Sequence, residues 1–166
     1  EKSMLGQARC IYSFAAAHRA GYGDGKCLEY AKHGVDFVID KMWDDKHEGF
    51  FWLTDRKGNV LSDEKIIYGH SFVIYAFSEY TLASGDQRGL FYAEKCFDLL
   101  QKYGADTMYG GYFEMFTNNW TLKGPAAAGG DRKTLDVHMH LMEAFTTLFE
   151  CSGKELHKRK LLEIIE

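Results

Sequence analysis

Apolar and polar positions fall into two helical styles along this chain. Residues 66–83 carry apolar or small side chains almost all round, and residues 3–20 and 134–151 do the same. A helix without a polar face is buried on most sides. Residues 88–103 differ. Tyr92, Cys96, Phe97, Leu99 and Leu100 oppose Glu94, Lys95, Asp98, Gln101 and Lys102. That spacing predicts one dry face and one wet face, and residues 26–42 follow it too. Buried helices thus alternate with amphipathic ones, as in an inner and an outer ring. A solenoid of helix pairs is the competing architecture. Its concave face would expose helices that are too apolar for water.

The alternation is an internal repeat. Ala8-Arg9-Cys10-Ile11-Tyr12-Ser13-Phe14 is followed 63 residues on by Ser71-Phe72-Val73-Ile74-Tyr75-Ala76-Phe77, and 68 further on by Met139-His140-Leu141-Met142-Glu143-Ala144-Phe145. Between them, Tyr30-Ala31 and Gly49-Phe50-Phe51 recur 62 residues later as Tyr92-Ala93 and Gly111-Tyr112-Phe113. Each unit reads as helix, Gly turn, helix and aromatic loop. Ser84-Gly85 and Ser152-Gly153 are helix stops with glycine in the left-handed position. Glu48–Trp52 and Tyr109–Phe116 alternate Gly with aromatics and suit short hairpins at a ring's mouth. The single Pro125 marks a flexible loop before the third inner helix. No linker divides the chain, so residues 1–166 read as one domain. The predicted class is all-α, a closed barrel of inner and outer helices.

Composition narrows the function. Hydrophobic residues make up 46% of the 166 and aromatics 15%, which suits a folded core or a sugar-binding cleft. The net charge of −4 gives no nucleic-acid footprint. The one basic run, His157-Lys158-Arg159-Lys160, suits a solvated helix face. Cys10, Cys27, Cys96 and Cys151 have no CxxC spacing and sit among apolar neighbours, so buried free thiols in a reducing compartment are expected. No signal-like or membrane-length apolar run appears, which makes a cytoplasmic location the default and a membrane partner unexpected. Both ends of the chain look cut.

The repeat superimposes Arg9, Phe72 and His140 on one inner-helix position. One turn earlier it superimposes Leu5, Tyr68 and Asp136. Residues four apart share a helix face, so Arg9, Tyr68, Asp136 and His140 should point to one place near the helix N-termini. Those termini favour an anionic group such as an enediolate. Trp52, in the first aromatic loop, is a further substrate-binding candidate. Two blander alternatives stand beside this: an Arg9–Asp136 structural ion pair, and Tyr68 as a core tyrosine. His138 and His140 diverge around the helix and cannot chelate one ion together, so no metal is expected. His138 and its counterpart His70 read as packed or hydrogen-bonded. Glu143 is expected to lie off the face of His140, and no carboxylate pair is fixed as a glycosidase would need. No GxSxG, Walker A or dinucleotide fingerprint is present.

Three motifs carry a family resemblance. Arg9-Cys10-Ile11-Tyr12-Ser13-Phe14-Ala15 resembles the R-x-x-[YW]-x-[FY]-[AS] signature of the N-acylglucosamine 2-epimerase superfamily. Tyr68-Gly69-His70-Ser71-Phe72 resembles its Y-[GA]-x-[AS]-F element. Residues 133–145, Lys133 to Phe145, resemble the N-T-H-L-H-[IL]-[LM]-E-A-[YF] run of cellobiose 2-epimerases, with Asp136 where those enzymes typically have Asn. The resemblance implies the (α/α)6 form of the barrel, with about half of its twelve helices present. It implies an enzyme that moves the C2 proton of an opened aldose through an enediolate, without metal or redox cofactor. The substrate it implies is a mono- or disaccharide. It would have Arg9 hold the C1 and C2 oxygens, Tyr68 hydrogen-bond the sugar, and His140 contact or orient the reacting end. The family's acid/base histidines fall in a second half with no counterpart here, so the chain alone is expected to be inactive or nearly so. Exposed half-barrel flanks would favour self-association. A non-catalytic carbohydrate-binding or oligomerising half barrel, and a glycosidase or lyase on the same ring, remain the alternatives.

Overall fold

The computed structural model describes residues 1–124 and 131–166. The loop read around Pro125 falls outside them. Six helices follow one another: α1 (Met4–Arg19), α2 (Lys26–Met42), α3 (Ile67–Ser84), α4 (Gln87–Leu99), α5 (Leu135–Ser152) and α6 (Glu155–Ile165). Helix α4 runs on into a π-helical turn, Leu100–Gly104. Helices α1, α3 and α5 pack side by side, with α2, α4 and α6 each laid behind its predecessor. This is the double layer of inner and outer helices that the hydrophobic pattern predicts.

Local chemistry fixes the helix ends. Ser3, Asp86 and Thr134 cap α1, α4 and α5 by accepting the N–H groups of Gly6, Arg88 and Val137. Gly85 (φ 75°) and Gly153 (φ 65°) end α3 and α5 in the left-handed conformation, donating back to Thr81 and Phe149.

The core lies between the layers. Phe50, Phe77, Phe97 and Phe145 are fully buried in it, each contributing roughly 3 kcal/mol of apolar transfer. Helix α3 is buried nearly all round, as expected. The same expectation is corrected for α1 and α5. Only α3 has an inner neighbour on both sides, so α1 leaves Cys10 and Phe14 in water and α5 leaves Met139 and Met142. The four cysteines are free, but Cys96 alone is buried; Cys10 is exposed, because it lies on the open flank of α1.

The two aromatic loops are tight turns, closed by Asp44 N–H to Gly49 and by Asp106 N–H to Gly111. Short strands continue them. β2 (Leu53–Thr54) pairs antiparallel with both β1 (Lys2–Ser3) and β3 (Val60–Ser62), and β4 (Lys65–Ile66) pairs with β5 (Met115–Phe116). Each turn is fastened at two points, one in the next inner helix and one in the residues just before it. In the first, Lys65 Nζ reaches Asp44 at 2.8 Å and His70 Nε2 accepts the Phe50 N–H at 3.0 Å. In the second, Lys133 Nζ reaches Asp106 and His138 Nε2 accepts the Tyr112 N–H at 3.0 Å. Both histidines place Nδ1 at 2.8 Å from the carbonyl four residues back, Ile66 or Thr134, which assigns the proton to Nδ1. His70 and His138 are thus hydrogen-bonded structural groups, as their spacing suggests. Gly49 and Gly111 are required here: both have positive φ, and a Cβ would press on the histidine Nε2 at 3.1 and 2.7 Å.

Candidate active site

The fastened turns hold the N-terminal ends of the inner helices in register, and these ends carry the candidate residues. Side chains at each three- or four-residue step of α1, α3 and α5 face the same way. They form successive layers: Tyr68 and Asp136 at the mouth, then Arg9, Phe72 and His140, then Tyr12, Tyr75 and Glu143.

His140 is the centre of the arrangement. Its Nδ1 lies 2.8 Å from Glu143 Oε2, and its Nε2 lies 3.6 Å from Asp136 Oδ1. The Phe72 ring packs on the imidazole at 4.5 Å, and Tyr68 meets it edge-on at 5.2 Å. The Arg9 guanidinium also lies over the Phe72 ring, 5.0 Å from its centroid. Arg9 has no ion-pair partner among the described residues, so the Arg9–Asp136 pair does not form; Asp136 turns to His140 instead. A Glu143 carboxylate can only accept, so a proton sits on His140 Nδ1, and among the described residues Nε2 has no partner within hydrogen-bond reach. Asp136 lies in the first turn of α5, where the helix dipole favours its charge.

A cleft of about 590 Å³ opens against this group, lined among others by Arg9, Phe72, His140, Tyr12, Tyr75 and Glu143. Its size suits a small ligand. A second cavity of similar volume lies behind the second turn, near Asp106 and His138. Two of its polar groups are already engaged, Asp106 with Lys133 and His138 with the Tyr112 N–H.

The expected convergence therefore appears for Arg9, Tyr68, Asp136 and His140, with Phe72 as the shared platform. Tyr68 and Asp136 stand at the rim, not in the cleft lining. Trp52 is further off. Its ring lies over Gly69 beside Met4, and its carbonyl accepts the Met4 N–H at 3.0 Å. The expectation for Glu143 is corrected: three residues from His140, it shares that face and binds the ring directly. Tyr12 and Tyr75 were also missed as lining residues. The repeat holds the signal for all three, since the positions one turn past Arg9, Phe72 and His140 are Tyr12, Tyr75 and Glu143. At the rim, burial and then Asp136 raise the Glu114 carboxyl above its usual range.

Comparison with known proteins accords with this arrangement. The family model for N-acylglucosamine 2-epimerase (GlcNAc 2-epimerase) matches residues 1–166. The chain is 28% identical to the cellobiose 2-epimerase of Bacteroides fragilis over 99% of its own length and 43% of that protein. It is 31% identical to the cellobiose 2-epimerase of Ruminococcus albus, covering 93% of the chain and 40% of the relative. It is 27% identical to the D-mannose isomerase of Thermobifida fusca, covering 94% of the chain and 36% of the relative. Among solved structures, the cellobiose 2-epimerase of Spirochaeta thermophila superimposes with a TM-score of 0.91 at 33% identity, over 99% of this chain and 42% of that one. Such neighbours are (α/α)6 barrels. The chain spans less than half the length of these relatives, in their N-terminal half. It belongs to the N-acylglucosamine 2-epimerase family.

Proposed function

We propose that these residues are the substrate-holding half of a sugar 2-epimerase or aldose–ketose isomerase site. The observation that supports this most is that the Arg9 guanidinium, without an ion-pair partner among the described residues, packs on the same phenylalanine, Phe72, as His140. A fixed cation next to an oriented imidazole suits a reaction that puts negative charge on neighbouring oxygens. Removal of a C2 proton from an opened aldose does so, giving an enediolate over O1 and O2.

In this account Arg9 donates to O1 and O2 as their charge develops. Glu143 holds the His140 tautomer, leaving Nε2 to meet a substrate oxygen or proton. Tyr68 binds the sugar at the mouth, and Trp52 packs over Gly69 at the start of the same helix. Asp136, where cellobiose 2-epimerases typically have Asn, adds a carboxylate 3.6 Å from Nε2. That departure leaves a mannose-type monosaccharide open as substrate beside cellobiose. Reversible transfer at C2 takes a base on each face of the carbon, within hydrogen-bond reach. His140 alone does not supply both, so the six-helix chain by itself is expected to hold sugar and turn it over slowly or not at all.

The test is proton exchange. The full-length protein is incubated in deuterated water with D-mannose, D-glucose, cellobiose or N-acetylglucosamine, and the C2 proton is followed by NMR. Loss of the C2 signal with one of these sugars is the expected result. No exchange with any of them would remove the isomerase account and leave the binding-only alternative.

A further inference from the structure

Tyr12 and Tyr75 hold equivalent positions on α1 and α3, one layer deeper than Arg9 and Phe72. One layer is three residues, or about 4.5 Å along the helix axis. The two rings meet at 4.4 Å between centroids, and both line the cleft. Neither hydroxyl bonds to protein among the described residues. The acids around them are occupied: Glu143 with His140, and Glu79 with Arg19 at 2.7 Å. Arg19 also reaches Glu150, so an ion cluster across all three inner helices lies beyond the tyrosines. Burial pushes the Tyr75 phenol up to about 12 and moves Tyr12 in the same direction. Both are therefore proton donors at neutral pH.

Two adjacent donors in the wall of a cleft, unpartnered among the described residues, match a polyhydroxylated ligand. An apolar ligand would leave both unpaired. We propose that Tyr12 and Tyr75 form the inner wall of the sugar site, donating to hydroxyl oxygens of the open-chain aldose and so selecting which sugar is held. The inference rests on the function proposed above.

Tyr12→Phe, Tyr75→Phe and the double variant, made in the full-length protein, test this. Each removes one oxygen and keeps the packed ring. The readouts are kcat and KM for C2 exchange with D-mannose and with cellobiose, plus the melting temperature. Each single change should raise KM about five- to tenfold with kcat little altered, since a binding contact common to ground and transition state is lost. Melting should not fall, because no protein partner is orphaned. A double variant with wild-type KM would overturn the tyrosine contacts while leaving the isomerase account standing. A wild type that exchanges no C2 proton would overturn that account, and these contacts with it.

Discussion

His140 Nδ1 and Glu143 Oε2 lie 2.8 Å apart within one turn of α5. The pair fixes which imidazole nitrogen is free, and it does so at the edge of the cleft. Glu143→Ala should lower kcat for C2 exchange roughly ten- to a hundredfold, the value of one charge-assisted hydrogen bond. Glu143→Gln keeps an acceptor oxygen and should fall between that variant and wild type. Melting should barely change, because the Glu143 side chain is half exposed. Steady-state rates with both variants check this.

The two turn fastenings differ in burial, and their energies should differ with it. The Lys65 side chain is fully buried and Asp44 almost so. Burial pulls Lys65 down from its ordinary value, and the Asp44 hydrogen bond opposes that. Lys65→Met should therefore cost roughly 3–5 kcal/mol, by leaving a buried carboxylate without its cation. Lys133, 28% exposed in its side chain, makes the equivalent contact near water. Lys133→Met should cost about 0–1 kcal/mol. Urea unfolding of the two variants separates the cases.

Acid should loosen the first fastening. Burial lowers His70 from 6.5 to about 4, against a smaller opposing pull from the Ile66 carbonyl. The unfolded chain takes up this proton near pH 6.5 and the folded chain only near pH 4. The stability due to neutral His70 is thus complete above pH 6.5 and is lost as pH falls towards 4. The loss amounts to roughly 3 kcal/mol. A His70→Gln variant should start less stable at pH 7 and show a flatter decline over that window. Urea midpoints measured from pH 7 to pH 4 check both the slope and its removal.

Much of this was legible in the chain because the repeat acts as a ruler. It aligned Arg9 with His140 and Tyr68 with Asp136, and the two helical styles separated inner from outer layers. The tightness of the turns followed from Gly49 and Gly111. Other features depend on neighbours that sequence distance hides. The exposure of Cys10 and Met139 follows from α1 and α5 each having one inner neighbour, which no local pattern states. Lys65 and Asp44 meet only after α2 and α3 are packed. Glu143 is a different case: its three-residue step from His140 is readable in the chain, and a rotation of about 300° leaves the two side chains only about 60° apart on one face.

The central claim is that Arg9 and His140 act on one substrate. It is tested most directly by a double-mutant cycle on C2 exchange with D-mannose, comparing full-length wild type, Arg9→Ala, His140→Ala and the double variant. Arg9→Ala should lose about a hundred- to a thousandfold in kcat, as expected on removing an oxyanion donor. The double variant should lose much less than the product of the single losses, because the two residues serve one transition state. Single variants that exchange at the wild-type rate would contradict the account.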